Sequence, residues 1–286
     1  TSIRWYEKVS WKYTLSCFRR GRFRIGPAVV ESGDPFGFLK AQMDVEERDE
    51  ILVYPKVFPL YDLGIPAVRP LGEVLGGIQM FPDRSRPSGI RDYQRGDALR
   101  DVDWKATARR HQLQVRTYDP SSDTTVVIAA AVDTGDPYWQ LDADNLERTL
   151  SVAASIATYA IEREHVVGLF TNDMRLVEKG KITVVPSRGR AQLSNLLGAL
   201  ATVSELAAGP MAEQLHDHAQ RFPFGSTIVL CTSFLPRALS ETIARLKGYG
   251  YKIVVLYVGK NDRSVLPDGV RVYDLADRLE QLESGQ

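Results

Sequence analysis

The chain has 286 residues, 44% hydrophobic and 25% charged, a composition that supports two globular domains of ordinary size and excludes a disordered class. Thirty-six basic residues balance thirty-six acidic ones, so no general affinity for nucleic acid is expected, which would need a basic excess on one face. Cys17 and Cys231 lack the CxxC spacing of a zinc site and read as reduced cytosolic thiols. The longest apolar run, Val126 to Val132, falls well short of the roughly 18–20 residues that cross a bilayer.

The first residue is Thr1 rather than Met, so a removed upstream segment, with room for a membrane anchor, is expected. To about Arg86 the punctuation is β-type: Trp11 to Phe18, Gly21 to Ile25, Ala28 to Glu31 and Glu50 to Tyr54 are short runs divided by Gly and Pro. Strand alternation places Arg20, Arg22 and Arg24 on one face and Gly21, Phe23 and Ile25 on the other. The apolar face is expected to pack. The cationic face reads either as a solvated strand surface or as a contact for acidic headgroups or an acidic partner. Asp34-Pro35-Phe36-Gly37 reads as a turn and Val53-Tyr54-Pro55 as a strand end, so residues 1–86 are expected to form a small β-sandwich or barrel-like domain.

Residues 87–119 are of another kind. Between Arg91 and Arg110, six basic and four acidic residues surround Tyr93, Leu99, Val102 and Trp104. Large aromatics among Arg and Asp predict ordered structure rather than a flexible linker. Two readings follow: an internal Arg–Asp network locking two domains together, or a recognition surface built from the Arg, Tyr and Trp side chains that dominate interface energetics. The tripeptide Arg95-Gly96-Asp97 carries little weight as an adhesion motif, because three residues recur by chance.

From residue 120 the pattern becomes α/β, with strands alternating with helices as in a mostly parallel sheet covered on both faces. Predicted strands are Val126 to Val132, Val166 to Thr171, Thr227 to Thr232, Tyr251 to Val258 and Val270 to Tyr273, with a hairpin over Met174 to Val185 around Lys179-Gly180. Predicted helices are Asn145 to Glu164, Gln192 to Val203, Ala212 to Arg221, Leu239 to Lys247 and Ala276 to Leu282.

Three separated motifs in order carry a family resemblance. They are Gly89-Ile90-Arg91-Asp92-Tyr93, then Arg95-Gly96-Asp97, then Arg100-Asp101-Val102-Asp103-Trp104 with Ala108-Arg109 and a following strand. Together they resemble the hallmark of the bacterial domain-of-unknown-function 58 family. Upstream, Arg20-Gly21-Arg22-Phe23, Asp34-Pro35-Phe36-Gly37 and Tyr54-Pro55 are similar to that family's β domain. The resemblance implies a von Willebrand factor A-like (Rossmann-like) domain at 120–286, and membrane tethering by hydrophobic helices ahead of the β domain. It also implies a place at the cytoplasmic face of the bacterial membrane and association with a MoxR-type AAA+ ATPase. Within the hallmark, Arg91, Asp92, Tyr93, Arg95, Gly96, Asp97, Arg100, Asp103, Trp104 and Arg109 are the expected partner-binding or inter-domain residues.

In von Willebrand A-like domains the first strand ends in Asp-x-Ser-x-Ser, which holds Mg²⁺ through hard oxygen ligands. Here Asp133-Thr134-Gly135-Asp136-Pro137 stands at that place, and neither Gly135 nor Pro137 has a side-chain oxygen. Ser233 occupies the position expected of a later carboxylate, and Pro186-Ser187-Arg188-Gly189-Arg190 offers no loop Thr, so Arg188 or Arg190 is expected to bring positive charge to this face instead. A degenerate, metal-free site is expected, with Asp133 capping backbone N–H groups.

Phosphate-binding glycine motifs are absent from the sequence. His216 and His218, two apart on a helix, point to different faces and are expected to be exposed, and no Ser or Cys elbow accompanies His111 or His165. The sequence therefore predicts a non-catalytic adaptor or scaffold without cofactor, binding other proteins but not nucleic acid. The alternatives are a metal-dependent adhesion-type module and a hydrolase on a Rossmann-like sheet.

Overall fold

The computed structural model describes residues 8–33, 36, 38–65, 82–94, 102–120, 125–176, 182–260 and 268–284; at 82–88 and 117–120 it describes the backbone. Strands β1 (Gly21–Ile25), β2 (Ala28–Gly33), β3 (Lys40–Val45) and β4 (Asp49–Val53) form two antiparallel ribbons, β1 with β4 and β2 with β3. The expected packing of one β1 face is not found: Phe23 and Ile25 are 43% and 44% exposed, alongside exposed Arg22 and Arg24. A two-stranded ribbon has no second layer of its own to cover either face. Trp11 to Phe18, expected as a strand, carries no regular element, and its Trp11, Tyr13, Leu15 and Phe18 side chains are exposed. Of the expected turn, Asp34, Pro35 and Gly37 lie outside the described residues.

Next, β5 (Pro82–Asp92) and β6 (Gln114–Pro120) pair antiparallel around helix α1 (Trp104–Arg110). The α/β part then follows: β7 (Thr125–Ala130), α2 (Ala143–Glu162), β8 (Val166–Thr171), β9 (Val184–Ser187), α3 (Arg190–Thr202), α4 (Met211–His218), β10 (Thr227–Thr232), α5 (Arg237–Gly248), β11 (Lys252–Tyr257), β12 (Arg271–Asp274) and α6 (Ala276–Ser284). Six strands stand in the order β12-β11-β10-β7-β8-β9, all parallel except the β8–β9 pair. The expected hairpin is corrected here. The strand that β9 pairs with is β8, residues 174–176 form a turn, and Lys179-Gly180 lies outside the described residues.

Alternation along each central strand divides the core into two layers. Val126, Ile128, Leu169, Val229, Val254 and Leu256 face α2, α3 and α6, while Val127, Ala129, Ile228, Leu230 and Val255 face α4 and α5. Helix α2 is buried nearly all round, and its Ala153, Ala154, Ala157 and Ala160 let the sheet and neighbouring helices approach closely. Leu60, Leu63 and Ile65 join the same core layer, and the Phe58 N–H donates to Ser155 Oγ of α2 at 2.9 Å. Their burial contributes roughly 1.5–3 kcal/mol per side chain. At the other end of the chain, Arg148 of α2 grips Glu283 of α6 at 2.7 Å.

The N-terminal ribbon is tied to this layer by Arg20, whose side chain is 6% exposed. Its Nε and Nη2 donate to the Leu200 and Val203 carbonyls at 3.2 and 3.0 Å, capping the C-terminal end of α3, and its Nη1 pairs with Glu147 of α2. Arg22 and Arg24 both face Glu50 on β4, at 3.7 and 3.2 Å. The expected cationic stripe therefore splits into one buried anchor and two ribbon ion pairs. We expect Arg20→Ala to leave the α/β core folded but release the ribbon, raising the rate of trypsin cleavage at Arg19, Arg22 and Arg24 roughly tenfold. An unchanged rate would show that Arg20 does not hold the ribbon.

Candidate binding face at the strand ends

The winding of the sheet reverses at β7: β8 lies to one side, and the chain returns to place β10 on the other. The crevice at the carboxyl ends of these strands is where open α/β sheets place their ligands. Asp133 stands there, 5% exposed. Its Oδ1 accepts from Asn172 Nδ2 at 2.7 Å and its Oδ2 from the Met211 N–H, at the start of α4, at 3.1 Å. Asn172, fully buried just after β8, also donates to the Gly209 carbonyl at 2.9 Å and accepts from the Val132 N–H at 2.8 Å. Three loops, at 131–142, 172–176 and 203–210, are thus cross-linked by direct hydrogen bonds among protein groups. Burial raises the Asp133 carboxyl pKa above its ordinary value, outweighing the three N–H donors that lower it, from Met211, Asn172 and its own backbone.

The surrounding groups complete a closed site. Thr134 Oγ1 accepts from the Asp142 N–H at 2.7 Å, and Asp142 in turn caps α2 through the Asp144 and Asn145 N–H groups. Gly135 and Pro137 lie half-buried on the same loop. Ser233, just beyond β10, is buried with its Oγ unpartnered. Across from it, Gly259 packs so closely that a Cβ there would lie 1.9 Å from the Ser233 carbonyl oxygen.

A divalent cation of the Mg²⁺ type does not fit these residues. It is held by accessible carboxylates together with further oxygens, many of them water, whereas Asp133 is 5% exposed and turned to protein N–H groups, and positions 135 and 137 offer no side-chain oxygen. Among the described residues no group of three His, Cys, Asp or Glu side chains converges.

Arg188 and Arg190 do not join this face. Ser187 pairs with Val167 near the start of β8, so the turn after β9 lies at the opposite end of the sheet from Asp133 and Ser233. An antiparallel strand delivers its C-terminal residues to the other end of the sheet. The expected exposure of both histidines also needs correction: His216 is exposed, but His218 is 6% exposed, with Nδ1 2.8 Å from the Gln214 carbonyl oxygen and its ring against Phe170.

The hallmark residues build a second, separate structure. Asp103 caps α1, accepting from the Ala106 N–H at 2.9 Å, and its other oxygen accepts from Arg116 Nε of β6 at 2.9 Å. These two donors hold its carboxyl below the usual range, the backbone N–H first. Buried Gln114 donates through Nε2 to Asp92 Oδ1 at 2.6 Å, and its backbone N–H donates to Thr107 Oγ1 at 3.0 Å. The Tyr93 N–H donates to the Leu113 carbonyl at 2.9 Å, and Arg91 Nη1 to the Asp92 carbonyl at 3.0 Å. These bonds run within the hairpin rather than between two domains. Among the described residues, α1 turns outward: Trp104 is 66% exposed, with Lys105 and Arg109 exposed beside it, and no α1 side chain is buried. Arg95, Gly96, Asp97 and Arg100 lie outside the described residues.

Sequence reasoning missed Asn172 and Gln114. The signal for Asn172 was its place immediately after β8, the counterpart of Asp133 after β7. Nothing local marked Gln114.

Four measurements test the clamp. Asp133→Ala should cost about 2–4 kcal/mol in urea unfolding, since it strips the acceptor from two buried donors. Because the folded state raises this carboxyl pKa, its contribution to stability declines as pH rises from 3.8 through the folded value, so the gap between wild type and Asp133→Ala should be widest at acid pH. Gly259→Ala should cost about 3 kcal/mol or more, because the clash is with backbone. Mg²⁺ or Mn²⁺ titration should leave Tm unchanged, and a clear rise would overturn the misfit.

The family model described as "Protein of unknown function DUF58" matches residues 89–281. The chain is also 25% identical over 154 residues, 53% of its length, to a protein of Bacillus subtilis (strain 168) named "Uncharacterized protein YeaD"; the match spans 36% of that protein. The family match covers more than half of the chain, from the β5 hallmark through α6, and on that ground the chain belongs to the DUF58 family.

Proposed function

We propose that this chain is a non-catalytic adaptor or scaffold: a β-sandwich or barrel-like N-terminal part joined to an α/β domain of von Willebrand factor A-like arrangement. The strand-end site of that domain is degenerate and works without metal. The carrying observation is the Asp133–Asn172 clamp, which commits both oxygens of the carboxylate at the switch point to loop cross-linking and leaves the group only 5% exposed to a substrate or a cation. A site so used offers a preorganised loop surface rather than chemistry. The partner is the one implied by the family resemblance, a MoxR-type AAA+ ATPase. The joint task is assembly or maturation of other proteins at the cytoplasmic face of the bacterial membrane. The contact assigned to that partner is the outward face of α1, where Trp104 is a large rigid anchor flanked by Lys105 and Arg109.

The test is a pull-down against the MoxR-type ATPase of the same organism, with and without ATP and with EDTA. Wild type should bind with EDTA present, and folded Trp104→Ala/Arg109→Ala should lose affinity by about tenfold or more. Binding abolished by EDTA in the absence of ATP would favour the metal-dependent adhesion alternative, and no binding by wild type would remove the ATPase from the proposal.

A further inference from the structure

Where the N-terminal ribbon meets the α/β layer, the surfaces leave an open cleft of about 900 Å³, lined by residues 19–22, Glu147, Arg175, Leu176 and 201–206. It contains neither Asp133 nor Asn172 and no α1 residue, although two of the clamped loops, at 172–176 and 203–210, supply one of its walls. Arg20 forms its fixed floor, since all its bonds go to the end of α3 and to Glu147. Arg175 shares the capping, donating from Nη2 to the Thr202 carbonyl at 2.8 Å, while its side chain otherwise lies exposed. Arg19 and Arg22 are exposed on the ribbon side.

Four arginines therefore line the cleft against two glutamates, Glu147 and Glu205, and a helix end worth about half a negative charge. Asp173, beneath the cleft, is fully buried and its carboxylate accepts the Arg175, Leu176 and Ser204 N–H groups. Glu50, outside the lining, is 3.7 Å from Arg22 but closer, at 3.2 Å, to Arg24, so with Arg24 counted the solvent-facing arginines still outnumber the exposed glutamates. Capping one helix end does not require this many guanidinium groups. Leu206 is 59% exposed on the loop side of the same cleft, beside half-buried Leu176.

We propose that this cleft docks an acidic peptide segment of a partner protein, its carboxylates on Arg19, Arg22 and Arg175 and an apolar side chain against Leu176 and Leu206. Arginines spread over two segments along an open cleft suit successive carboxylates of an extended chain, which they engage through planar paired donors. Planar guanidinium donors serve phosphate as well as carboxylate; the placement of the arginines on two segments is what favours successive carboxylates over one compact anion. The ribbon's attachment through Arg20 fixes the spacing of the two walls, so the site exists only while the ribbon is docked. This assignment goes beyond the ATPase reading and uses none of the α1 residues, so either can fail alone.

The experiment is binding of the full chain to an array of short synthetic peptides in which Asp and Glu alternate with Leu, Ile, Phe or Tyr. A matching array carrying Lys in place of the acids, and single-stranded DNA of similar charge, serve as counter-probes. The acidic peptides should be retained selectively and lose affinity with added salt. In fluorescence polarisation with the best of them, Arg19→Glu should weaken binding roughly tenfold and Glu205→Gln should tighten it by about threefold, with circular dichroism and Tm unchanged. Equal retention of the Lys peptides, DNA binding as tight as the best peptide, no acidic peptide retained, or affinity indifferent to both substitutions would each overturn the proposal.

Discussion

The arrangement of the strand-end face depends on one buried hydrogen-bonded pair. Three parallel-sheet loops converge beside β7, and each presents backbone groups that must be satisfied without water. Asn172 meets this demand for two of them, holding the Val132 N–H and the Gly209 carbonyl, and passes its second donor interaction to Asp133, which takes the Met211 N–H. A carboxylate buried this deeply without a cation is costly unless several donors surround it. The upward pull of burial on its pKa shows that the donors offset that cost only in part. Stabilised this way, the loops are held in shape by protein groups alone.

A second constraint governs how the β-rich part relates to the α/β part. The ribbons bury little of their own: Phe23, Ile25, Val29, Val30 and Met43 are all exposed. Their order comes from docking. Arg20 plugs the end of α3, and residues 58–65 lay Leu60, Leu63 and Ile65 onto the layer between sheet and helices. The same plug creates the cleft, since a guanidinium placed at a helix end brings two walls of the chain face to face without filling the space between them. The hallmark hairpin is built differently. Among its described residues, Asp92, Asp103, Gln114 and Arg116 bond within the hairpin around α1, while Trp104 and its basic neighbours face outward.

Much of the α/β architecture was legible because burial on both faces imposes long apolar runs that only a central strand tolerates. Val166 to Thr171 and Thr227 to Thr232 match β8 and β10 residue for residue. β3 was overlooked although Lys40 to Val45 alternates Ala41, Met43 and Val45 with polar residues, because the short run is wholly exposed but for its last residue and carries no core signal. Helix α1 was overlooked because its seven residues bury nothing and show no apolar period; only the Asp103 cap announced it.

By itself the sequence determined the α/β class, the order of the central parallel strands and the helices that cover them, the hallmark segment and the absence of side-chain oxygens at positions 135 and 137, all properties carried by local pattern or residue chemistry. The tertiary structure decided the rest. Asp133 acquires its partners from residues 39 and 78 positions away, and Arg20 caps a helix 180 positions away. Arg188 and Arg190 fall at the far end of the sheet because β9 runs antiparallel. Strand direction and the partners of a buried polar group depend on which distant segments the chain brings together, and no local spacing encodes that.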